Sequence, residues 1–576
     1  MSHAASSSSS ETASSDPTPF APGPGDRAFF GHPAGLLTLF FAEMWERFSY
    51  YGMRAILILF MTSVTAQQAA EMISSGKAVS LADAGLRPTT IRIAPDSSAA
   101  AKPRESQVGG LGFTDAKAGV IYALYTSFVY LAGVAGGWLA DNIMGQRRAV
   151  FWGGLVIMLG HICLAFHGLP FFFGGLLLII IGTGLLKPNI STIVGLLYGP
   201  KDVRRDSGFA LYYMGINIGS FFGQTVCGFF AQHPTFKEKY LIPWGIDPLA
   251  CWHWGFAAAA VGMFFGLVVF VAFGGLMRDA GLRPRPPADE AEANRRRLIL
   301  RLLIGGIAAV GVAGAGVWAT GISVSPDVLN IVFGSLLLTV TLLSFGRILY
   351  SAEFTPEERT RLKVVIILFI ASVLFWGAFE QAGGSLNLFA ERKSQLTIGD
   401  PGSEDAIHIP SSWYQNVNPF GIMVLSPFFV YLWLKWGERA PSSPAKFAFA
   451  LLLVGLGFVV AAIGSQQFEA TGQRISPLWL TTVYVLHTIG ELILSPIGLS
   501  LVTKLAPQRS VSQIMSIWFF ANANGNFIAG QTVVLNDKFD LSDTQVFWTI
   551  AIVTIAAAGV LALLVPTIKK MMGGVK

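Results

Sequence analysis

Apolar runs of about 20 residues, parted by short polar segments, recur along almost the whole chain. That length crosses a hydrocarbon core of roughly 30 Å as one helix. A backbone inside lipid must pair its own polar groups, and a helix does this within one segment. The pattern predicts fourteen spans, centred roughly on residues 50, 127, 158, 184, 219, 264, 309, 338, 376, 426, 456, 488, 523 and 555. Two stretches break the rhythm. Residues 1–28 are rich in Ser, Ala, Pro and Gly and are expected to be a disordered tail, not a signal peptide. Residues 66–112 form a long polar insertion after the first span.

Composition agrees with a bilayer as solvent. Charged residues are 13% of the chain and hydrophobic ones 53%, and the mean hydropathy is +0.56. The three cysteines, Cys163, Cys227 and Cys251, make no disulfide framework. The net charge of +6 gathers in short loops, without the basic face that nucleic acid would need. Arg147–Arg148, Lys201 to Arg205, Arg278 to Arg297, Arg359 to Lys363, Lys504 to Arg509 and Lys569–Lys570 fall on one side of the expected membrane. The excess of Lys and Arg puts that side, with both termini, in the cytoplasm of a multi-pass cell-membrane protein. The 66–112 insertion carries basic residues on the outer side, and long translocated segments obey this rule poorly.

Charge inside the spans carries the chemistry. The first span reads Glu43-Met44-Trp45-Glu46-Arg47-Phe48-Ser49-Tyr50-Tyr51-Gly52-Met53-Arg54 between apolar flanks. Helical spacing puts Glu43, Glu46/Arg47, Tyr50/Tyr51 and Arg54 on one stripe. Four ions at one depth cost on the order of 10 kcal/mol without partners. The stripe must therefore face protein or a water-filled cavity. A bland alternative is a Glu43–Arg47 pair that only fixes helix packing. Further charges lie at Lys187, Glu380 and Glu491 in other spans. Three cations and four acids across four spans suit a zwitterion, with acids for its ammonium and Arg or Lys for its carboxylate. A carboxylate that loses its Arg partner in an apolar cavity is readily protonated, so one acid can answer to both solute and proton.

The spans divide into six, two and six. The expected units are a tail at 1–28, a six-helix bundle at 29–276, a linker with two extra spans at 277–361, and a second bundle at 362–576. Gly184-Leu-Leu-Lys187-Pro188 is echoed by Gly490-Glu-Leu-Ile-Leu-Ser495-Pro496, in the fourth span of each half. Two such halves around a midplane site suggest an all-α major-facilitator layout.

At its charged stripe the chain resembles the proton-dependent oligopeptide transporter family. The signature E-x-x-E-R-F-x-Y-Y is complete at Glu43 to Tyr51. F-Y-x-x-I-N-x-G appears as Tyr212-Tyr213-Met214-Gly215-Ile216-Asn217-Ile218-Gly219, with Tyr for Phe at its start. The likeness extends through Val129 to Leu131, Gly136 to Arg148, Lys187 to Asn189, Phe375 to Gln381, Asn418–Pro419 and Gly490 to Pro507. It implies proton-coupled import of di- and tripeptides by alternating access, without enzymatic activity, cofactor or metal, by a monomer. It further implies that Arg54, Lys187, Arg47 and Tyr51 hold the peptide carboxylate, and Glu380, Asn217 and Asn418 the amino end. Tyr50, Tyr130, Trp376 and Trp518 would line side-chain pockets. Glu43, Glu46, Glu380 and Lys187 would handle protons, with Arg54–Glu380 as an outer gate and Lys187–Glu491 as an inner one. One departure stands out. Some members place a proton-handling His seven residues before the Tyr-Leu pair, where this chain has Ala123, so coupling must rest on the carboxylates and Lys187.

Other signals carry less. His487 and Glu491 are one turn apart but lack the further ligands a zinc site needs. His161 and His167 read as packing or interface residues. The glycine pairs 133/137, 215/219 and 219/223 permit close helix approach. No phosphate loop or nucleophile constellation occurs. Rival readings are a carrier of nitrate or of another amino-bearing solute, a channel, or a membrane-embedded enzyme.

Overall fold

The computed structural model describes residues 28–63, 109–199, 202–320, 325–399, 406–507 and 510–573. The expected tail, except Ala28, and the insertion, except 109–112, lie outside the described residues. The described residues are 83% helical and build an all-α membrane protein. Its long helices are α1 (Gly35–Thr62), α2 (Asp115–Leu139), α3 (Gln146–Leu164), α4 (Leu169–Leu196), α5 (Arg205–Gln232), α6 (Cys251–Ala272) and α7 (Glu290–Thr320). They continue with α8 (Pro326–Tyr350), α9 (Pro356–Phe379), α10 (Val417–Trp436), α11 (Ser443–Thr471), α12 (Pro477–Leu505), α13 (Val511–Phe539) and α14 (Asp543–Met571). Each expected centre falls within one of them. Among the described residues, 10 segments are long and apolar enough to cross a membrane. The helices outside that set are α1, α5, α7 and α13.

Local chemistry sets the ends. Thr355 and Glu358 close a capping box ahead of α9, with Pro356 in its first turn, and Ser542 with Gln545 does the same for α14. Helix α9 stops at Phe379, and Glu380–Gly383 form a 3₁₀ turn. A short helix, Ser385–Lys393, then continues the span. Gly383–Gly384 supplies the break.

The packing repeats between halves. Helix α1 packs on α5 as α9 packs on α13; α3 packs on α4 and α6 as α11 packs on α12 and α14; and α2 packs on α4 as α10 packs on α12. The halves meet where α2 lies against α13 and α5 against α10. Helix α8 touches α2, α9 and α13, pinned by a reciprocal Asn330–Gln531 amide pair at 2.7 and 2.8 Å. It lies outside both bundles.

Further ties between the halves gather at the end of the bundles away from the start of α1. Arg392 grips Asp115 at 2.5 and 2.7 Å, Asn387 donates to the Ala55 carbonyl at 2.8 Å, and Trp413 donates to the Thr225 carbonyl at 3.0 Å. At the same end the insertion is closed at its base. Leu111, Gly112 and Phe113 donate backbone N–H groups to Phe60, Ser63 and Met61.

Glycines set the closest approach. A Cβ at Gly219 would strike the Met44 carbonyl, and one at Gly223 the Phe48 carbonyl, so α1 and α5 touch backbone to backbone. The 133/137 pair does not act this way. Gly133 faces open space, and Gly136 is the residue pressed against α4 at Gly184. We expect Gly223→Ala to cost about 1–3 kcal/mol through overpacking. Its melting temperature in detergent should fall, whereas Gly133→Ala should melt with the parent.

Candidate functional site

The α1 stripe points inward. Glu43, Glu46, Arg47 and Arg54 are each at least nine-tenths buried, as is Glu380. Arg47 Nε lies 2.9 Å from Glu43 Oε1 and 2.5 Å from Glu46 Oε2. Neither approach is aligned along the N–H, and both Glu46 oxygens lack a hydrogen-bond partner among the described residues. Charge attraction more than directed bonding holds this trio. The Arg47 guanidinium also lies 5.4 Å from the Tyr50 ring centre and 5.9 Å from that of Tyr51.

Further along α1, Arg54 joins the two halves. Its Nη2 donates to Glu380 Oε2, and its Nε donates to Tyr122 Oη at 2.6 Å. Glu380 sits in the 3₁₀ turn where α9 breaks, not in a continuous helix as the spacing implied. Gly383 is needed beside it, because a Cβ there would collide with the Tyr122 hydroxyl and lie 3.3 Å from Arg54. Gln381 staples the break to α13: it donates to the Ala529 carbonyl and accepts from Thr532 and Ser385, both at 2.7 Å. The acid is therefore mounted on a braced turn.

A cavity of about 190 Å³ opens between the halves. Glu43, Arg47, Tyr51, Arg54, Lys187 and Asn217 line it from the first half, and Glu380, Asn418 and Glu491 from the second. All three cations stand on the first-half wall. The second-half wall presents two acids and no Lys or Arg among its described lining residues. Lys187 forms no ion pair among the described residues; its ammonium lies 4.1 Å from the Tyr130 ring centre, a cation–π contact. Glu491 instead accepts from Asn418 at 2.8 Å. Of the two pairs expected as gates, Arg54 and Glu380 are in contact here, and Lys187 and Glu491 are not paired among the described residues.

Glu46, Tyr50, Tyr130, Trp376 and Trp518 do not border this cavity. Glu46 and Tyr50 stand behind it, and Tyr130 underlies Lys187. Trp376 packs edge-on against Phe375 and Phe379, and Trp518 is buried against Phe447. Sequence reasoning missed Tyr122, Gln381, Gln415 and Tyr484. Tyr122, Thr126 and Tyr130 repeat every four residues and share one face of α2, a signal that was readable. Gln415 reaches the cavity from a short 3₁₀ helix, Ser411–Asn416, too brief for periodicity to mark it. His161 is fully buried, as a packing role requires. No group of three or more metal-ligating side chains occurs among the described residues.

Known proteins share this fold. Residues 147–549 match the model of the POT family. The chain is 34% identical to a di-/tripeptide transporter of Lactococcus lactis subsp. cremoris, over 96% of this chain and 99% of that one. It is 37% identical to a Bacillus subtilis protein called uncharacterized transporter YclF, over 95% and 97% of the two chains. It superimposes on a crystal structure of a peptide transporter POT in complex with sulfate, at 37% identity and a TM-score of 0.77, covering 95% of this chain and 98% of the other. The chain belongs to the POT family of transporters, with a major-facilitator fold.

The buried pair gives a direct test. Removing one partner of such a pair costs about 3–5 kcal/mol, because the other charge is stranded. Arg54→Ala should therefore lower the melting temperature in detergent more than Arg54→Ala/Glu380→Gln does. Additive effects in that cycle would show that the pair contributes no coupling.

Proposed function

We propose that this chain is a proton-coupled symporter that imports di- and tripeptides by alternating access. The observation that carries the reading is the segregation of charge across the cavity. A peptide zwitterion would set its carboxylate against Arg54, Lys187, Arg47 and Tyr51, and its ammonium toward Glu380, Asn418 and Asn217. The Lactococcus relative carries the name of di-/tripeptide transporter. A second similar structure, at 31% identity and a TM-score of 0.77, holds 5-aminolevulinic acid, another molecule with one amino and one carboxyl group.

Charge balance supports the proton. Arg47, Arg54 and Lys187 face Glu43, Glu46, Glu380 and Glu491, which leaves one negative charge in excess when all are ionised. Buried net charge is unfavourable, so one proton neutralises the site, and a bound zwitterion leaves it neutral. Protonation of Glu380 frees Arg54 for the substrate carboxylate. Re-formation of the pair after release resets the carrier. Lys187 and Glu491 meet when the other end opens. A proton moving down about 100 mV supplies roughly 2.3 kcal/mol, enough for more than a tenfold accumulation.

Loop charge places both termini and the start of α1 in the cytoplasm, in the cell membrane. The tied end is then the outer end, and the described state is closed outward. Its cavity is smaller than the roughly 300 Å³ at which ligand sites begin. The walls assigned to Tyr50, Tyr130, Trp376 and Trp518 belong to a wider stage of the cycle. The two bundles at 29–276 and 362–576 rock as units, with the pair at 277–361 riding outside them and a single chain sufficing.

Labelled dialanine should enter proteoliposomes when the proton gradient is inward, and a protonophore should abolish its accumulation. Di- and tripeptides should compete for entry; competition by nitrate instead would favour an anion carrier. Glu380→Gln should abolish gradient-driven uptake while counterflow exchange persists. Unchanged driven uptake in that variant would remove Glu380 from the coupling step.

A further inference from the structure

His487 is left over once the charged residues are assigned. It sits one turn before Glu491 on α12, borders the central cavity, and is 1% exposed. Its ring lies between Phe458, with centres 5.1 Å apart, and Phe379 of the cavity wall, 6.2 Å away. Its Nε2 is 3.2 Å from the Val454 carbonyl. A carbonyl only accepts, so Nε2 carries the hydrogen and Nδ1 holds a free lone pair. That Nδ1 has no hydrogen-bond partner among the described residues.

The orientation of the ring says where the lone pair points. A Cβ at Gly457 would meet Nε2 at 2.5 Å and Cδ2 at 2.6 Å, so the Nε2–Cδ2 edge is pressed against α11. The vertex opposite that edge of an imidazole is Nδ1. It is directed away from α11, on the side of the ring that does not pack against that helix. A buried acceptor without a donor is unfavourable, and a ligand's N–H can relieve it. The wall that carries His487 also carries Glu380 and Glu491, opposite the three cations.

The geometry points to His487 as a further substrate-contacting residue, whose Nδ1 accepts a hydrogen bond from the terminal ammonium of the bound peptide. This rests on the peptide reading above. A neutral acceptor adds recognition of the ammonium without adding another negative charge to the site. Carboxylates that must give up or take a proton during the cycle are thereby relieved of part of the work of holding the amino end.

The test pairs a protein change with a ligand change. Full-length protein in proteoliposomes takes up labelled dialanine, and unlabelled dialanine or N-propionylalanine, the same molecule without its amino group, competes. His487→Phe keeps the aromatic packing and removes Nδ1. The advantage of dialanine over N-propionylalanine should shrink about tenfold, the worth of one charge-assisted hydrogen bond. The shift should come from weaker dialanine, with N-propionylalanine unmoved. Equal shifts for both competitors, or none, would overturn the assignment. Should His487→Phe fail to reach the membrane, His487→Gln and His487→Leu replace it. Glutamine, which restores an acceptor, should keep the discrimination and leucine should lose it; identical behaviour would again overturn the assignment. Wild-type protein that ignores dialanine altogether would refute the peptide reading itself, and this inference with it.

Discussion

A guanidinium and a carboxylate held together out of water, one from each half of the molecule, organise this structure. Neither Arg54 nor Glu380 can be buried alone, because an unpaired ion at that depth is far costlier than the pair. Local features follow from this constraint. Helix α9 breaks so that Glu380 can reach Arg54, Gly383 leaves room for the Tyr122 hydroxyl against the same guanidinium, and Gln381 braces the broken turn on α13. The pair joins the halves directly. In the proposed cycle a single proton on Glu380 breaks it, since a neutral acid no longer needs its cation.

Elsewhere the packing within each half is tight. Helices α1 and α5 meet at glycines with no space for a methyl group, and α2 meets α4 likewise at Gly136. Close-packed backbones of this kind transmit force with little deformation. Between the halves, polar ties such as Arg392 with Asp115 and Asn387 with the Ala55 carbonyl border an equally close contact, where a Cβ at Gly530 of α13 would strike Ala123 of α2. Polar ties at a rim can be exchanged for water, whereas interlocked backbones cannot.

Much of this is legible in the sequence. Runs of apolar residues locate the helices because the bilayer demands length and a self-paired backbone. The buried stripe of α1 announces itself because charge within an apolar run is too costly to stand there unpartnered. Which charges meet is less legible, since Arg54 and Glu380 are separated by more than three hundred residues and the apolar pattern runs through α9 without a visible stop. The Gly383–Gly384 pair holds the clue to the break. Tyr122 shares a helix face with Tyr130, yet no charge or signature on its own helix singles it out. The glycine reading fails at 133/137, because periodicity shows which residues share a face but not which face meets a neighbour. In the sequence His487 is no more than a weak metal candidate. The orientation of its ring depends on Gly457 and Val454, thirty residues away, and no local pattern encodes that.

The three backbone hydrogen bonds that zip residues 111–113 to the end of α1 have one more consequence. They bring the chain back to the point it left, so whatever lies between Ser63 and Gly109 starts and finishes at a single anchorage. Its length is then uncoupled from the placement of α2, and lengthening a closed excursion costs only slowly more entropy. Evolution could stretch or trim that stretch without disturbing the membrane-embedded machinery. An engineer could do the same, using it as a docking point for a fluorescent or affinity handle.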